Sequence, residues 1–439
     1  MESVKRRSFF MFLSIGFCAF LIQAVSSCGG GGGSGSGSGS IAALVELIPG
    51  STDHNPDGTW WGYNMNKIVR YGDRVFMYVV ETGDFPPTAS TFRIYTKLAD
   101  GAWTSGEGFP TSRPGNLLMD STGVLHVFVF EPTNLTNDSI GRLKHYWFPN
   151  SMTGDITNYQ EETVVQNNGS LETVNIRIGS AIGAGDRLAV AFGLTVSGSG
   201  QTEQLWYKDP SGAWTNLVAG TNLDHDFYYP FVLVTPSGFG LLAVQDDFVS
   251  QGEPNIYQII KYFHYTTGSW VNEDVVDLTS HSLAGSRDRL LEQSDLYLDT
   301  GGSAHLLWKE FLDSGSASTV SGFKHLSGLP GSWTSEDLTP PSNLSINWLK
   351  MLEHGGKTYY LATSYSRLYL ADSTLSKFEE VSLPSDIQGI YLYVAGPQSG
   401  TSSSSPYLDI LLLNGSSSSY PDASNYYIRI NKSELSKLD

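Results

Sequence analysis

Gly101-Ala102-Trp103-Thr104 is a phrase that the chain repeats, as Gly212-Ala213-Trp214-Thr215, Gly268-Ser269-Trp270-Val271 and Gly331-Ser332-Trp333-Thr334. The intervals are 111, 56 and 63 residues, and 111 is nearly twice 56. A second phrase, a tight turn running into an apolar strand, stands at Asp120-Ser121-Thr122-Gly123-Val124-Leu125-His126-Val127 and again at Asp299-Thr300-Gly301-Gly302-Ser303-Ala304-His305-Leu306. Looser copies begin at Gly72, Gly185, Thr235 and Gly355. A period of about 50–65 residues is the length of one four-stranded propeller blade with its loops.

Within each period, apolar or alternating runs bounded by Gly, Asp, Ser or Pro fall in the same order, which is the signature of short strands. Blade one reads as 63–70, 75–81, 92–97 and Trp103; blade two as 116–119, 124–130 and 143–148; blade three as 174–181, 188–194, 204–208 and Trp214. Blade four reads as 229–234, 240–245, 257–265 and Trp270, blade five as 295–298, 305–310, 323–326 and Trp333, and blade six as 346–352, 358–363, 368–371 and Phe378. A seventh remains in 390–394, 408–413 and 426–430, one strand short, while the apolar run 41–48 at the start is unassigned. Giving that run to blade seven closes the ring and leaves no open edge at its joint. The expectation is an all-β, seven-bladed propeller of four-stranded antiparallel blades closed by an N-terminal strand, with a six-bladed ring as the alternative.

Composition agrees with this and removes other classes. The chain has 439 residues, 26 Lys+Arg against 44 Asp+Glu and a charge of −18, which argues against a nucleic-acid partner. With 40% hydrophobic residues, 12% aromatics, 47 Gly and 19 Pro it is globular and rich in turns. Cys18 and Cys28 are the two cysteines, too few for a disulfide framework or a cysteine zinc site.

The first residues read as an address. Lys5, Arg6 and Arg7 precede an apolar run over 8–25, and the run ends at Val25-Ser26-Ser27-Cys28. That ending resembles the lipobox of bacterial lipoproteins, which implies a signal peptide over 1–27 and a mature chain that begins at a lipidated Cys28. Residues 29–40 are all Gly and Ser, a flexible tether with a reach of roughly 20 Å, and 41–439 form one propeller domain. The mature chain would carry 23 basic and 43 acidic residues, a charge of −20, so the lipid and not electrostatic adhesion holds it to the membrane. The expected location is the cell envelope, at the outer membrane or cell surface.

The succession of strand, Asp120–Gly123 type turn, His-bearing strand and Gly-x-Trp outer strand resembles the sialidase-like propellers with bacterial neuraminidase (BNR) repeats. The resemblance covers nearly all of 60–380. The full Ser-x-Asp-x-Gly-x-x-Trp box is nowhere complete, Leu98-Ala99-Asp100-Gly101-Ala102-Trp103 being its relative, and the early Arg-Ile-Pro phrase of sialidases is absent. Secreted seven-bladed polysaccharide lyases are a nearer likeness, and these use a His or Tyr base.

Propeller geometry brings the loops entering each innermost strand and those leaving each second strand to one rim of the channel. Entering loops contribute His54, Asp57, Trp60, Trp61, Tyr63 and Asn64, then Arg113 and Asn116, Glu172 and Asn175, His225, Asp226, Tyr228 and Tyr229, then Arg287, Arg289 and Glu292, and finally Asn347 and Trp348. Leaving loops contribute Glu81, Glu131, Asp246, Asp247, Lys309 and Glu310. Trp60, Trp61, Tyr63 and Trp348 offer flat faces for sugar rings, with Asn64, Arg113 and Glu292 as polar contacts. Arg113, Arg177, Arg287 and Arg289 can hold a carboxylate bidentately. His225, Tyr228 and Tyr229 form the densest acid/base cluster, and with Arg287 and Arg289 they make the candidate catalytic set. His126 and His305 occupy equivalent blade positions, which points to packing. Glu81, Asp247, Glu292 and Glu310 are candidates for a glycosidase pair. No His-x-Glu, His-Glu-x-x-His or calcium-loop pattern occurs, so neither metal nor cofactor is implied.

These readings point to an exported, lipid-anchored monomer whose partner is a polysaccharide or oligosaccharide. One reading has it cleave an acidic glycan by β-elimination, a second has it bind glycan or protein without chemistry, and a third makes it a glycoside hydrolase.

Overall fold

A computed structural model describes residues 40–53, 64–82, 90–111, 114–134, 140–166, 171–196, 200–217, 227–247, 256–266, 268–277, 287–313, 318–364, 367–387, 391–414 and 423–439. They form seven four-stranded antiparallel sheets, each a blade, and the six-bladed alternative is excluded. In blades one to six the strands follow the chain from the channel outward. The innermost strands are Ile68–Tyr71, Asn116–Met119, Leu171–Gly183, Phe227–Thr235, Arg287–Leu298 and Trp348–His354. Blade seven takes Tyr391–Val394, Tyr407–Asn414 and Ala423–Asn431 from the end of the chain and Ala43–Asp53 from its beginning, the latter outermost.

This N-terminal strand is fixed to three blades. It pairs with Ala423–Asn431 from Ala43 opposite Ile430 to Asp53 opposite Ala423. Ile41 bridges to Val381 of blade six, its N–H donating to Glu380 O at 2.8 Å and its carbonyl accepting from Ser382 N at 3.1 Å. Glu46 accepts from Lys97 Nζ at 2.7 Å and from Trp103 Nε1 at 3.1 Å, both in blade one. Chain ends meeting in one sheet make the ring a single cooperative unit.

The core lies between blades, because each sheet buries both faces against its neighbours. Val69, Phe76, Tyr78, Leu117 and Val127 fill the seam between blades one and two, and Tyr297, Leu307, Leu349 and Tyr360 that between five and six. The repeated tryptophan is a staple between neighbouring outer strands. Trp103 reaches Glu46 of blade seven, Trp214 Nε1 donates to Glu162 of blade two at 2.9 Å, and Trp333 Nε1 to Glu273 of blade four at 2.5 Å. Trp270 donates instead to Leu217 O of blade three, at 3.0 Å. The repeat thus encodes a blade-to-blade bond that half-buries an indole and satisfies its one N–H.

The second phrase is the turn from innermost to second strand. Asp120 Oδ1 accepts from Val124 N at 2.8 Å and Thr122 N at 2.9 Å, and Asp299 Oδ1 from Ser303 N at 2.7 Å. At this end of the ring the segment 395–406 folds under the channel, and its short 3-10 turn Pro397–Ser399 meets the innermost strands of blades two to five. Gly400 sits there at φ 89°, and a Cβ would fall 1.8 Å from Met119 O, so only glycine fits. The channel is therefore floored, and the other rim is where a ligand can enter.

Candidate functional site

The rim is uneven, and the unevenness follows the sequence. Innermost strands of blades one, two and seven are four residues long, that of blade six seven. Those of blades three, four and five have 13, 9 and 12 residues. At about 3.3 Å per residue they stand above the others as a three-blade wall. Each is broken on its rim side: the pairing register slips between Thr173 and Ile178, between Tyr228 and Phe231, and between Arg287 and Leu290. Such bulges re-aim side chains and recur beside active sites.

The middle break has a readable cause. Pro230 carries no N–H and cannot continue the ladder, so Tyr229 and Pro230 leave the register. Tyr229 is held at φ 50°, a strained conformation for a bulky residue, and only 8% of it is exposed. Tyr228, Arg287, Arg289 and Glu292 lie on these strands and not in loops as expected, because the bulges let the ladder run on through them. Tyr228, Arg287, Arg289 and Glu292, like Glu172, Asn175, Arg177, Asp246 and Asp247, are described by backbone alone. The strands bearing Tyr229 and Arg289 are neighbours in the ring. Cys28, His54, Asp57, Trp60, Trp61, Tyr63, Arg113, His225 and Asp226 lie outside the described residues.

Trp348 opens the innermost strand of blade six, half-buried, and Lys309 Nζ of blade five lies 4.2 Å from its ring centroid. Lys309 is in turn the backbone partner of Glu292, and Glu310 of Leu291. Lys309 therefore joins two sequence candidates, Glu292 and Trp348, across one seam. Such a cation on an indole face is worth about 0.5–2 kcal/mol, more as water is excluded.

Asn64 is buried below the rim. Its amide nitrogen donates across the channel to Pro230 O at 2.8 Å and Ile178 O at 3.2 Å, so it bolts the entry of blade one to blades three and four. Asn116 acts similarly, accepting from Asn66 N at 2.9 Å. The axial cavity has a volume of about 60 Å³, room for a few waters and none for a sugar. Its wall holds an ion pair that sequence reading missed, Lys350 Nζ 3.6 Å from Asp295 Oδ1. Burial pushes Asp295 up and Lys350 down, each partly restored by the other; Asp295 also accepts from Met351 N at 2.8 Å. The signal was a lysine inside the apolar run Trp348-Leu349-Lys350-Met351-Leu352.

The carboxylates separate by partner. Glu81 is engaged at both oxygens, by Arg93 Nε at 2.6 Å and by the Tyr95 hydroxyl. Burial, then Glu81, pushes the Tyr95 phenol well above its ordinary range. Glu131 and Arg142 form the matching fork in blade two, at 2.9 and 3.0 Å. Carboxylates tied in this way are poor general acids. The described residues contain no group of three or more His, Cys, Asp or Glu arranged to hold a metal.

No protein-family model and no curated protein matches the chain by sequence. In structure it is similar to a polysaccharide lyase, Uly1, with a TM-score of 0.56 at 11% identity, over 85% of this chain and 90% of that one. It is also similar to the α-L-arabinofuranosidase Arb93A of Fusarium graminearum (TM-score 0.47, 8% identity, 91% of this chain and 100% of that). A third likeness is to the sialidase of Trypanosoma rangeli (TM-score 0.43, 10% identity, 85% and 56%). These are likenesses of fold, and the fold is a seven-bladed β-propeller.

Proposed function

We propose that the chain is an exported, lipid-anchored propeller that binds an acidic polysaccharide along the wall of blades three to five and cleaves it by β-elimination. The observation that carries this reading is the pair of neighbouring bulged strands, one with Tyr228 and Tyr229, the other with Arg287 and Arg289. The likeness in structure to Uly1, a polysaccharide lyase, supports it. A guanidinium from Arg287, Arg289 or Arg113 would neutralise a uronate carboxylate and acidify the C5 proton. Tyr228, Tyr229 or His225 would take that proton; the C5–H electrons form the C4–C5 double bond, the C4–O bond breaks, and the proton returns to the leaving oxygen. A cation beside a phenol favours its ionised form, which a tyrosine base requires. Trp60, Trp61, Tyr63 and Trp348 would stack on flanking sugars.

Incubating the protein with a panel of acidic and neutral polysaccharides tests this. Ultraviolet absorbance from an unsaturated uronate is expected on at least one acidic chain; new reducing ends without that absorbance would mean hydrolysis instead. The Lys309–Trp348 contact favours a second reading, glycan binding without chemistry, for which retention on a glycan column without product is the outcome.

Anchoring at Cys28 is part of the proposal. Cys28→Ser should move the protein from the membrane fraction to the soluble one with its melting unchanged, because 29–40 separate anchor from core. An unmodified, uncleaved Met1 on membrane-bound protein, found by mass spectrometry, contradicts it.

A further inference from the structure

Blades two and five contain the same histidine pair. In blade five His305 Nδ1 lies 2.9 Å from His325 Nε2, and His305 Nε2 3.2 Å from Asp299 Oδ2. In blade two His126 Nδ1 lies 2.9 Å from His145 Nε2, and His126 Nε2 3.5 Å from Asp120 Oδ2. The pairs differ at their far nitrogen. His325 Nδ1 meets the Tyr360 hydroxyl of blade six at 3.0 Å, whereas His145 Nδ1 meets the Glu162 carboxylate at 2.8 Å.

Counting protons separates the two. In blade five the Tyr360 O–H donates to His325 Nδ1, His325 Nε2–H to His305 Nδ1, and His305 Nε2–H to Asp299. Each ring holds one proton, every contact is satisfied, and a third ring proton would face the Tyr360 O–H or another N–H. In blade two Glu162 requires a proton on His145 Nδ1. His145 Nε2 then accepts from His126 Nδ1–H, and His126 Nε2 faces Asp120 bare. A third proton there completes a chain that ends on a carboxylate at each side. Burial alone would raise Asp120 and Glu162, yet the donors on Asp120 from Val124 and Thr122 and those on Glu162 from His145, Lys208 and Trp214 hold both down, so both stay available as anions.

We propose that the blade-five pair is an acid-operated latch on the seam between blades five and six. In blade two burial also holds His145 down, to about 4, but there the added proton has a carboxylate at each end of the chain. Tyr360, fully buried on the far side of that seam, would have to turn its O–H away from a charged His325, so the bond that joins the blades survives only with the phenol oxygen accepting and its buried proton redirected. The other groups facing the pair do not supply a second anion. Within blade five these are Tyr297, stacked on His305 at 4.6 Å, and Glu336, the backbone partner of His325. From blade six and the end of the chain, Lys357, Asp372, Lys377 and Asp439 line a cavity of about 570 Å³ beside the pair. Lys357 and Tyr359 bond Asp439 at 2.7 and 3.0 Å, which turns that carboxylate to them. The same seam carries Lys309 and Trp348 at the rim, so opening it would separate them.

The sign follows from burial. Burial, then the neighbouring His305, holds the His325 imidazolium down at about 4, below the ordinary 6.5. The unfolded chain therefore binds more protons between those values, and stability present above pH 6.5 is lost as the pH falls toward 4. His325→Gln keeps an acceptor for Tyr360 and a donor for His305 but cannot titrate. Urea unfolding of wild type and His325→Gln from pH 7 to 4 reads the difference. The wild-type unfolding constant should rise on the order of a hundredfold more than that of the variant across the window. Nitrogen-resolved NMR of the wild-type rings should show His325 neutral with its proton on Nε2 at pH 7. Equal pH slopes overturn the proposal, as does a His325 proton on Nδ1. The NMR decides alone if the variant does not fold.

Discussion

Removing residues 41–53 should cost on the order of 5 kcal/mol or more of stability and turn a cooperative fold into an aggregating one. Ile41 and Ile48 are buried, and each contributes roughly 1.5–3 kcal/mol through apolar surface alone. Lys97, with 1% of its side chain exposed, would lose Glu46 and be left as a buried cation. Trp103 loses its acceptor with the same residue, and Ala423–Asn431 becomes an open edge. The companion variant acts at the same joint from the other face. Arg70 of blade one is clasped by Asp409 of blade seven at 2.5 and 2.6 Å, and Tyr427 donates to the same carboxylate at 2.6 Å. Both charged side chains are essentially unexposed, so Asp409→Ala leaves a guanidinium unpaired in the core and should cost about 3–5 kcal/mol. Urea titration of the three proteins checks both values. A truncated protein with the midpoint of the full chain would mean that the N-terminal strand does not close the ring.

Much of the fold was legible because its repeats are chemical as well as periodic. The Gly-x-Trp phrase marks an outer strand since its indole needs an acceptor on the next blade, and the Asp-turn phrase marks the floor since Asp120 and Asp299 cap their own turns. The apolar run at 41–48 without a partner, and blade seven without its fourth strand, predicted each other. Blade two's outer strand, Gln160–Gln166, was missed because it is polar and carries no such phrase. Arg287-Asp288-Arg289 read as a loop because charge dominates it, yet the strand Arg287–Leu298 runs through it by bulging. The site was less legible for a physical reason. What gathers its residues is strand length and register slip on three separate blades, and neither is a local pattern except at Tyr229-Pro230. The packing role read for His126 and His305 is met by His145 and His325, each on the third strand of its blade.

At least one of Tyr229→Phe and Arg289→Ala should lower turnover on the best acidic glycan by a factor of about a hundred or more, the usual range for removing a general base or one charge-stabilising donor. The two residues stand on neighbouring strands, each within a break of register, and the backbone of Tyr229 is held in a strained conformation. Strain of about 1–3 kcal/mol persists only where the surroundings impose it, here Pro230 and the bolt from Asn64 to its carbonyl. Tyr229→Phe keeps ring and backbone while removing the hydroxyl, so it separates chemistry from folding. The measurement that bears most directly on the account is the initial rate of unsaturated-uronate formation by wild type, Tyr229→Phe and Arg289→Ala, with the fold of each verified by its melting. The account predicts a rate in the wild type that at least one variant loses while melting like it; wild-type rates in both folded variants would contradict it.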